Sequence, residues 1–541
     1  MADEQNVVGN TFRSASYNVI LQVSFRILTF IMNGVLLRYT TRDMLGVVNV
    51  RLMLLQQTIT FVSREAFRKA CLSKSTEKRW PQVINLLWCV FPIGVALSSI
   101  LGYIWIYYLE RPDPALVSNY NLGVLVFAST GAVELLCEQL WVISQVFHFL
   151  RLKVVIEGIA NFSRCFLTLF LVITFPNLGI ICFCLAQVSF SLLIVILYYM
   201  YFIHQMGKIQ TELPEEFPLK SIRDFFPSIV AKKPLISLEM ANLTWSFFKQ
   251  SFLKIFLTEG ERFIMTIFKV LTFAEQGVYD VVNNLGSLVA RCVFMPIEES
   301  YYTFFANILA RDKKAKEQSP EAAKMAAQVL EVMLKFMVLI GLTIVVFGYA
   351  YSFLLLDIYG GTTLSGGEGP SLLRWYCLYV LIIAINGITE CFMFAAMNKD
   401  EVDSYNYKMM MFSCFFLLAS WYLTVFGSSG FIIANCLNMI LRIFHSLSFI
   451  LKYFKSTPDL QPLRGIFPSY LVLLTYALSG IITALSERVL CCNHGWFYRI
   501  LHIGIGAVCL LLVAVAVLIK EKSLLEFAYE QFIGAKKKKK D

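Results

Sequence analysis

Charge is what this chain has least of. Only 16% of its 541 residues are Asp, Glu, Lys or Arg, where a soluble domain carries about 25%. That shortage, with 57% hydrophobic residues, excludes an ordinary soluble enzyme of this length. Short alternating apolar segments are also missing, which excludes a transmembrane β-barrel. No Walker A sequence is present, so nothing points to ATP-driven transport. The five histidines, His148, His204, His445, His494 and His502, do not fall at metal-ligand spacing. No nucleophile–base arrangement is recognisable, no cofactor or metal is expected, and an enzyme is not expected. The start, MADEQNVVGNTFRSAS, has no short apolar core followed by small residues, so no cleavable signal peptide is read. The first apolar run is expected to act as its own insertion signal. The 14 cysteines are scattered, many inside apolar runs such as IICFCLA, and read as buried thiols rather than a disulfide framework. Cys491 and Cys492 are adjacent, and no bridge is assigned to them.

What is there is a recurrence of apolar runs of about 20 residues, the pattern of an all-α polytopic membrane protein. Mean hydropathy is +0.65. Fourteen spans are expected, near 13–38, 43–67, 81–108, 120–147, 153–175, 179–203, 245–268, 272–296, 327–356, 372–397, 405–426, 430–454, 467–486 and 497–519. The stretch 204–244 is charged and holds Pro214, Pro218, Pro227 and Pro234, so it reads as a cytosolic linker. The implied organisation is an N-terminal lobe (1–203), that linker, a C-terminal lobe (245–454), two additional helices (455–519) and a lysine-rich tail (520–541).

Orientation follows from lysine and arginine. With the N-terminus cytosolic, one set of loops holds Arg68, Lys69, Lys74, Lys78 and Arg79, then Arg151 and Lys153, and then Lys208, Lys220, Arg223, Lys232 and Lys233. Arg311, Lys313, Lys314 and Lys316 follow, and after them Lys452, Lys455 and Arg464. The opposite loops hold Arg38, Arg42, Arg111, Lys269 and Arg488 and little else, and DIYGGTTLSGGEGP (357–370) has no basic residue. The net charge of +10 therefore sets topology and is no signal for nucleic acid. Both termini are expected in the cytosol. This alternation decides the most awkward segment, SFLKIFLTEGERFIMT (251–266). It carries Lys254, Glu259, Glu261 and Arg262. If it did not cross, every later loop would change sides and ARDKKAKEQ (310–318) would face the lumen. An interfacial helix is the alternative, but the charges are not confined to one face. Gly260 would let the helix bend there.

LGVVNVRLMLL (45–55) resembles QGVYDVVNNLG (276–286). Gly46 falls on Gly277, an offset of 277 − 46 = 231, and at that offset Arg38 falls on Lys269 and Val50 on Val281. Both copies would start on the same side of the membrane. That is a parallel repeat with its axis along the membrane normal, around a central cavity, and alternating access is the expected mechanism.

A charge at the bilayer centre costs roughly 2.5–3.5 kcal/mol on insertion scales, so charged residues within spans face a cavity or a partner. The candidates are Arg26, Arg51, Arg64 and Glu65, the four charges of the seventh span, Arg291, Glu298, Glu299 and Arg442. Arginine suits a diphosphate because its planar fork donates paired hydrogen bonds and stays charged. Arg26, Arg64 and Arg291 are the candidate diphosphate-binding residues. Arg38, Glu65, Glu259, Glu261, Arg262, Glu298, Glu299 and Arg442 are candidates for the polar, charge-balancing wall. Each is equally open to an internal salt bridge, for instance Arg64 with Glu65. Arg51, Arg68 and Lys69, near span ends, read as snorkelling to the interface. Asn161-Phe-Ser and Asn242-Leu-Thr match the glycosylation sequon, one inside a span and one on the cytosolic side, and are read as chance. The chain closes FIGAKKKKKD. Lys538 and Lys539, fourth and third from the end, fit a cytosolic di-lysine retrieval signal of the endoplasmic reticulum. The alternative is a polybasic segment drawn to anionic lipid. KSLLEFAYEQFIG before it reads as a short amphipathic surface helix.

LQVSFRILTFIMNGVLLRY (21–39), GVVNVRLMLL (46–55), SREAFRKACL (63–72) and FMPIEESYYTFF (294–305) together resemble the eukaryotic Rft family of dolichol-linked oligosaccharide translocation proteins. The likeness extends along essentially the whole chain, and SREAFRKA is its most specific part. It implies a place in the superfamily of multidrug and oligosaccharidyl-lipid exporters, with the bacterial lipid II flippase as a relative. It also implies two lobes of six helices plus two more, residence in the endoplasmic reticulum membrane, and a role in N-linked glycosylation. The implied substrate is Man5GlcNAc2 on dolichyl diphosphate, moved from the cytosolic to the lumenal leaflet; protein partners are not implied. By similarity to the lipid II flippase, arginines on the first, second and eighth spans would meet the diphosphate, and Arg26, Arg64 and Arg291 lie on those spans. The rival reading is an accessory protein that binds or hands over the same lipid without flipping it. No cation site is recognisable for coupling to Na⁺ or H⁺.

Overall fold

The structure is a computed structural model. It describes residues 24–72, 80–147, 149–212, 221–229, 234–311, 313–492, 495–522 and 524. Lys538, Lys539 and the expected surface helix before them lie outside these residues, as do Pro214 and Pro218.

Every regular element among the described residues is helical, as backbone in hydrocarbon requires, since a helix satisfies its own polar groups. In chain order the helices are α1 (Ser24–Leu37), α2 (Arg42–Leu72), α3 (Trp80–Tyr107), α4 (Tyr120–Val146), α5 (Leu150–Thr174) and α6 (Ile180–Glu212). Then come α7 (Leu238–Thr258), α8 (Gly260–Ile267), α9 (273–308), α10 (Pro320–Gly360), α11 (Gly369–Ala396), α12 (Lys399–Tyr422), α13 (Ser429–Phe454), α14 (Tyr470–Leu490) and α15 (Trp496–Lys520). Eleven helices among the described residues are long and apolar enough to cross a membrane. The other three expected spans are α1, of which only the last part is described, the α7–α8 pair and α9. The last two are interrupted and carry charge, so length and composition do not count them.

The chain divides into two compact units, Met1–Gly277 and Val278–Asp541. In the first, Val47, Leu52, Leu55, Ile59, Val124 and Ile180 are fully buried in one core. Ile255 of α7 and Phe263 of α8 belong to the same core, so the charged segment 251–266 is built into this unit. It is not one straight helix. Glu259, at φ −104° and ψ 12°, separates α7 from α8, immediately before Gly260. α7 alone has 21 residues, about 32 Å of helix at 1.5 Å per residue, which matches a hydrocarbon layer of about 30 Å.

The glycines that the repeat pairs are in contact. A Cβ on Gly277 would fall on the carbonyl of Arg42 and 2.7 Å from the nitrogen of Gly46, and one on Gly46 would fall on the carbonyl of Phe273. Backbone approaches backbone at this point, which only the absence of a side chain permits.

In the second unit α10 is the longest helix, 41 residues. Ser319 caps its start by accepting from the Ala322 amide at 3.3 Å, Pro320 opens it, and Gly361, at φ +63°, ends it. α12 begins with a capping box in which Asn398 and Glu401 satisfy each other's amides. Aromatic edges close the core: Phe392 meets Phe305 at 5.3 Å and Tyr453 at 5.4 Å between ring centres. The last two helices are tied by Glu521, just past α15. It pairs with Lys335 at 2.8 Å and accepts the Ser469 amide at 2.7 Å. The structure also joins the sulfurs of the neighbouring Cys491 and Cys492, a bridge the sequence did not lead one to expect.

Two outcomes follow. Gly277→Ala is expected to destabilise the first unit by about 1–3 kcal/mol, as overpacking against backbone does, read as a lower melting temperature of the purified protein. For Glu521, burial pushes the carboxyl up but the bonds from Lys335 and Ser469 outweigh it, and the group is held below its ordinary 4.5. A depressed carboxylate contributes stability above its unfolded value and loses it as pH falls through the lower folded value. Glu521→Gln is therefore expected to melt lower at pH 7, with the gap to wild type closing below about pH 4.

Candidate functional site

Charge in hydrocarbon is tolerated when paired, so the site is best found by asking which charges already have partners. Arg51 has several. It stands in a π-helical turn of α2 (Gly46–Leu52) and is fully buried. Its guanidinium donates to the carbonyls of Thr266 at 2.9 Å and Met265 at 3.5 Å and to Oε1 of Gln276 at 3.4 Å. Glu110 lies at 3.6 Å and the Phe273 ring 5.0 Å from the guanidinium carbon. The last carbonyls of a helix have no partner within it, and a cation suits that end. Arg51 supplies both to the end of α8. The expected snorkelling of Arg51 is thus wrong: the side chain turns inward because α8 presents it with carbonyls.

Arg68 is a second correction. It forms a two-point ion pair with Glu138 of α4, which is 1% exposed, and stacks 3.5 Å over Trp141. Lys69 likewise points to Glu65 at 3.7 Å and Ser251 Oγ at 3.3 Å, so it too is engaged within the unit. Glu65 is therefore Lys69's partner, and the alternative pairing with Arg64 is not formed. Glu259 pairs with Arg262 at 3.3 Å, and Arg262 also donates to Gln57 Oε1 at 3.2 Å. Glu261 and Arg38 each have a partner.

Arg64 is different. It makes no hydrogen bond or ion pair among the described residues, and its charged neighbours are Arg68 as well as the carboxylates of Glu138 and Glu134. Glu134 is buried and held by Gln56 Nε2 at 2.8 Å and Ser191 Oγ at 2.9 Å. Arg64 and Arg68 are four residues apart on α2, and Glu134 and Glu138 are four apart on α4. Each pair occupies one face of its helix. The first arginine is left with no direct bond among the described residues. Arg26 on α1 is exposed and has no partner among the described residues. Arg291 on α9, in the second unit, is exposed, and its donors reach only carbonyls of its own helix, Asn284 at 2.9 Å and Ser287 at 3.4 Å. Of the candidate arginines, then, Arg26, Arg64 and Arg291 have no carboxylate bonded to them among the described residues, which leaves guanidinium donors for an anionic group.

The second unit holds a cleft of about 610 Å³. Glu390 of α11 and Arg442 of α13 form a two-point pair across it at 2.8 and 2.6 Å, and Tyr405 donates to the same carboxylate. Asn386 Nδ2 donates to Glu390 at 3.0 Å. Glu298 and Glu299 line the same cleft with Arg311. The Glu298 carboxylate lies against Gly387, where a Cβ would fall on it.

Glu134, Glu138 and Glu390 were not among the sequence candidates, nor was Arg164, which donates to Asn161 Oδ1 at 3.1 Å and Gln187 Oε1 at 3.2 Å. The signal was there in GAVELLCEQL (131–140): two glutamates at helical spacing inside a span, matching two arginines at the same spacing in SREAFRKA. Asn161 of the first sequon is half-buried and engaged in these bonds on α5, in keeping with a chance match.

The two classes of arginine should separate on mutation. Arg442→Met strands Glu390 and is expected to cost about 3–5 kcal/mol. Arg26→Ala is expected to change stability by less than about 0.5 kcal/mol. Thermal unfolding of the two purified variants checks this.

The sequence model of the family described as Rft protein matches residues 10–531. A protein of Xenopus tropicalis named Man(5)GlcNAc(2)-PP-dolichol translocation protein RFT1 is 49% identical over 536 residues, 99% of each chain. The Mus musculus protein of that name is 48% identical over 528 residues, 97% of each. Among solved structures, a lipid II flippase MurJ in an inward closed conformation shares the fold, with a TM-score of 0.58 at 12% identity, covering 92% of this chain and 98% of that one.

Proposed function

The chain belongs to the Rft protein family, and from that premise we propose that it moves Man5GlcNAc2-PP-dolichol from the cytosolic to the lumenal leaflet of the endoplasmic reticulum membrane, for assembly of the N-glycan precursor. Relatives with nearly the whole chain in common are named Man(5)GlcNAc(2)-PP-dolichol translocation proteins. The single structural observation behind the reading is that, among the described residues, no carboxylate bonds Arg26, Arg64 or Arg291, while other span arginines such as Arg68 and Arg442 are bonded to one. A diphosphate offers the planar, doubly accepting oxygens that such donors fit.

In this reading the diphosphate and sugars cross in a polar cavity and the dolichyl chain stays in lipid. Arg64 illustrates how the site remains stable when empty. Glu134 and Glu138 lie near it but accept none of its donors among the described residues, so a diphosphate can bond to it without first breaking a salt bridge. The paired charges hold the helices together instead. Arg51 fixes the end of α8, and Arg68 joins α2 to α4. The proposed organisation remains two lobes, 1–203 and 245–454, with a linker at 204–244, two further helices and a lysine-rich tail. Fourteen spans with both termini cytosolic complete it, and Lys538 and Lys539 would return the protein to the endoplasmic reticulum.

The test is reconstitution of the purified chain in vesicles with labelled Man5GlcNAc2-PP-dolichol. Exchange between leaflets is expected to be faster than in empty vesicles and to fall at least tenfold in Arg26→Ala and Arg64→Ala. No acceleration by folded protein that still binds the lipid would favour the accessory role instead.

A further inference from the structure

The cleft in the second unit has a chemistry unlike that of the three unpaired arginines. Its charges are mixed. Glu390 is fully engaged by Arg442, Tyr405 and Asn386. Glu298 is half-buried, and its carboxylate accepts no hydrogen bond among the described residues. Asn386, only 6% exposed, lines the same cleft, and its Oδ1 has no hydrogen-bond partner among the described residues. A buried acceptor without a donor carries a desolvation cost, so Asn386 Oδ1 and the half-buried Glu298 carboxylate call for a ligand that donates. Arg311 offers donors on the other side, held by the Tyr302 hydroxyl at 3.3 Å. Tyr302, Tyr379 and Phe394 add aromatic surface to the wall.

What ligand satisfies this set? An anion such as a diphosphate would meet Glu298 and Glu299, neither bonded to an arginine among the described residues. A metal cation would share the cleft with Arg311 and Arg442, and hard cations need six or more close oxygens. A volume of about 610 Å³ is that of a small-molecule site, far more than a bare ion fills. Sugar hydroxyls are neutral and both donate and accept, and a sugar's C–H faces lie well on aromatic rings. The place also fits. Glu390 is near the end of α11, Val402 near the start of α12, and Arg311 in the loop after α9. That end of the unit carries Lys313, Lys314, Lys316, Lys452 and Lys455, the cytosolic end by the positive-inside pattern.

We propose that the cleft lined by Glu298, Asn386, Gly387 and Tyr302 is a carbohydrate subsite, which holds the mannose-rich end of the glycolipid at the cytosolic end of the second unit. This rests on the proposed function for the identity of the sugar. Glu298 and Asn386 Oδ1 accept from sugar hydroxyls, Arg311 donates to them, and the aromatic side chains face the ring carbons. The diphosphate binds elsewhere, on the unpaired arginines. Sugar and diphosphate are then read by separate groups, which would let the protein tell a completed oligosaccharide from a bare carrier.

The experiment compares two probes on the purified full chain in nanodiscs: Man5GlcNAc2-PP-dolichol and sugar-free dolichyl diphosphate. Wild type is expected to bind the first more tightly. Glu298→Gln, whose carboxylate holds no part of the fold, should cut that preference at least tenfold while leaving dolichyl diphosphate affinity unchanged. Gly387→Ala, whose Cβ would displace the Glu298 carboxylate, should do the same. Equal wild-type affinity for the two probes, or a preference untouched in folded samples of both variants, overturns the subsite. So does sodium binding that is lost in Glu298→Gln with the sugar preference intact, which would make the cleft a cation site. Wild type that binds neither probe would instead remove the proposed function.

Discussion

A charge carried into hydrocarbon must find a partner, and the arrangement of this protein follows from how each arginine meets that demand. Arg51 finds the bare carbonyls at the end of α8. Arg68 finds Glu138, and Arg442 finds Glu390. These pairs cross between helices, so they fix which helices are neighbours. Arg26, Arg64 and Arg291 do not complete the pattern. Among the described residues none of the three bonds a carboxylate, and Arg291 donates only to carbonyls of its own helix; the proposed diphosphate would supply the anionic acceptors that they lack.

The repeat and the charges meet at one place. Gly46 and Gly277 touch backbone to backbone, and Gly46 opens the π-helical turn of α2 that carries Arg51 five residues on. π turns are often found at functional sites. Here the turn aims a guanidinium at Met265 and Thr266, a few residues past the break at Glu259. The charged segment 251–266 is thus held at both ends of its problem: Arg262 and Glu259 pair with each other across the break, and Arg51 closes the far end. Its charges are consistent with a helix that crosses.

Much of this was legible in the sequence. Apolar run length and loop charge pointed to an all-helical membrane protein; the repeat read Gly46 and Gly277 as equivalent positions, and their contact was not foreseen. The break before Gly260 was readable from the glycine among charges. The partners of charges were not. Arg51 was misread because its distance from a presumed span end says nothing about the carbonyls of α8, which lie 214 and 215 residues further along the chain. Arg68 was misread for the same reason, although Glu134 and Glu138 stood at matching helical spacing. Glu390 escaped notice because its partners, Tyr405 and Arg442, lie on two other helices. Pairing is a tertiary property: a single sequence shows that a charge needs a partner and not which one it has.

The central claim is that the unpaired arginines bind the diphosphate and the paired ones hold the fold. It is tested most directly by measuring affinity for dolichyl diphosphate and melting temperature together, on the same samples of wild type, Arg26→Gln, Arg64→Gln and Arg68→Gln. The account predicts affinity at least tenfold weaker, about 1.4 kcal/mol, with unchanged melting for Arg26→Gln and Arg64→Gln, and lowered melting for Arg68→Gln. Unchanged affinity in Arg26→Gln and Arg64→Gln would contradict it.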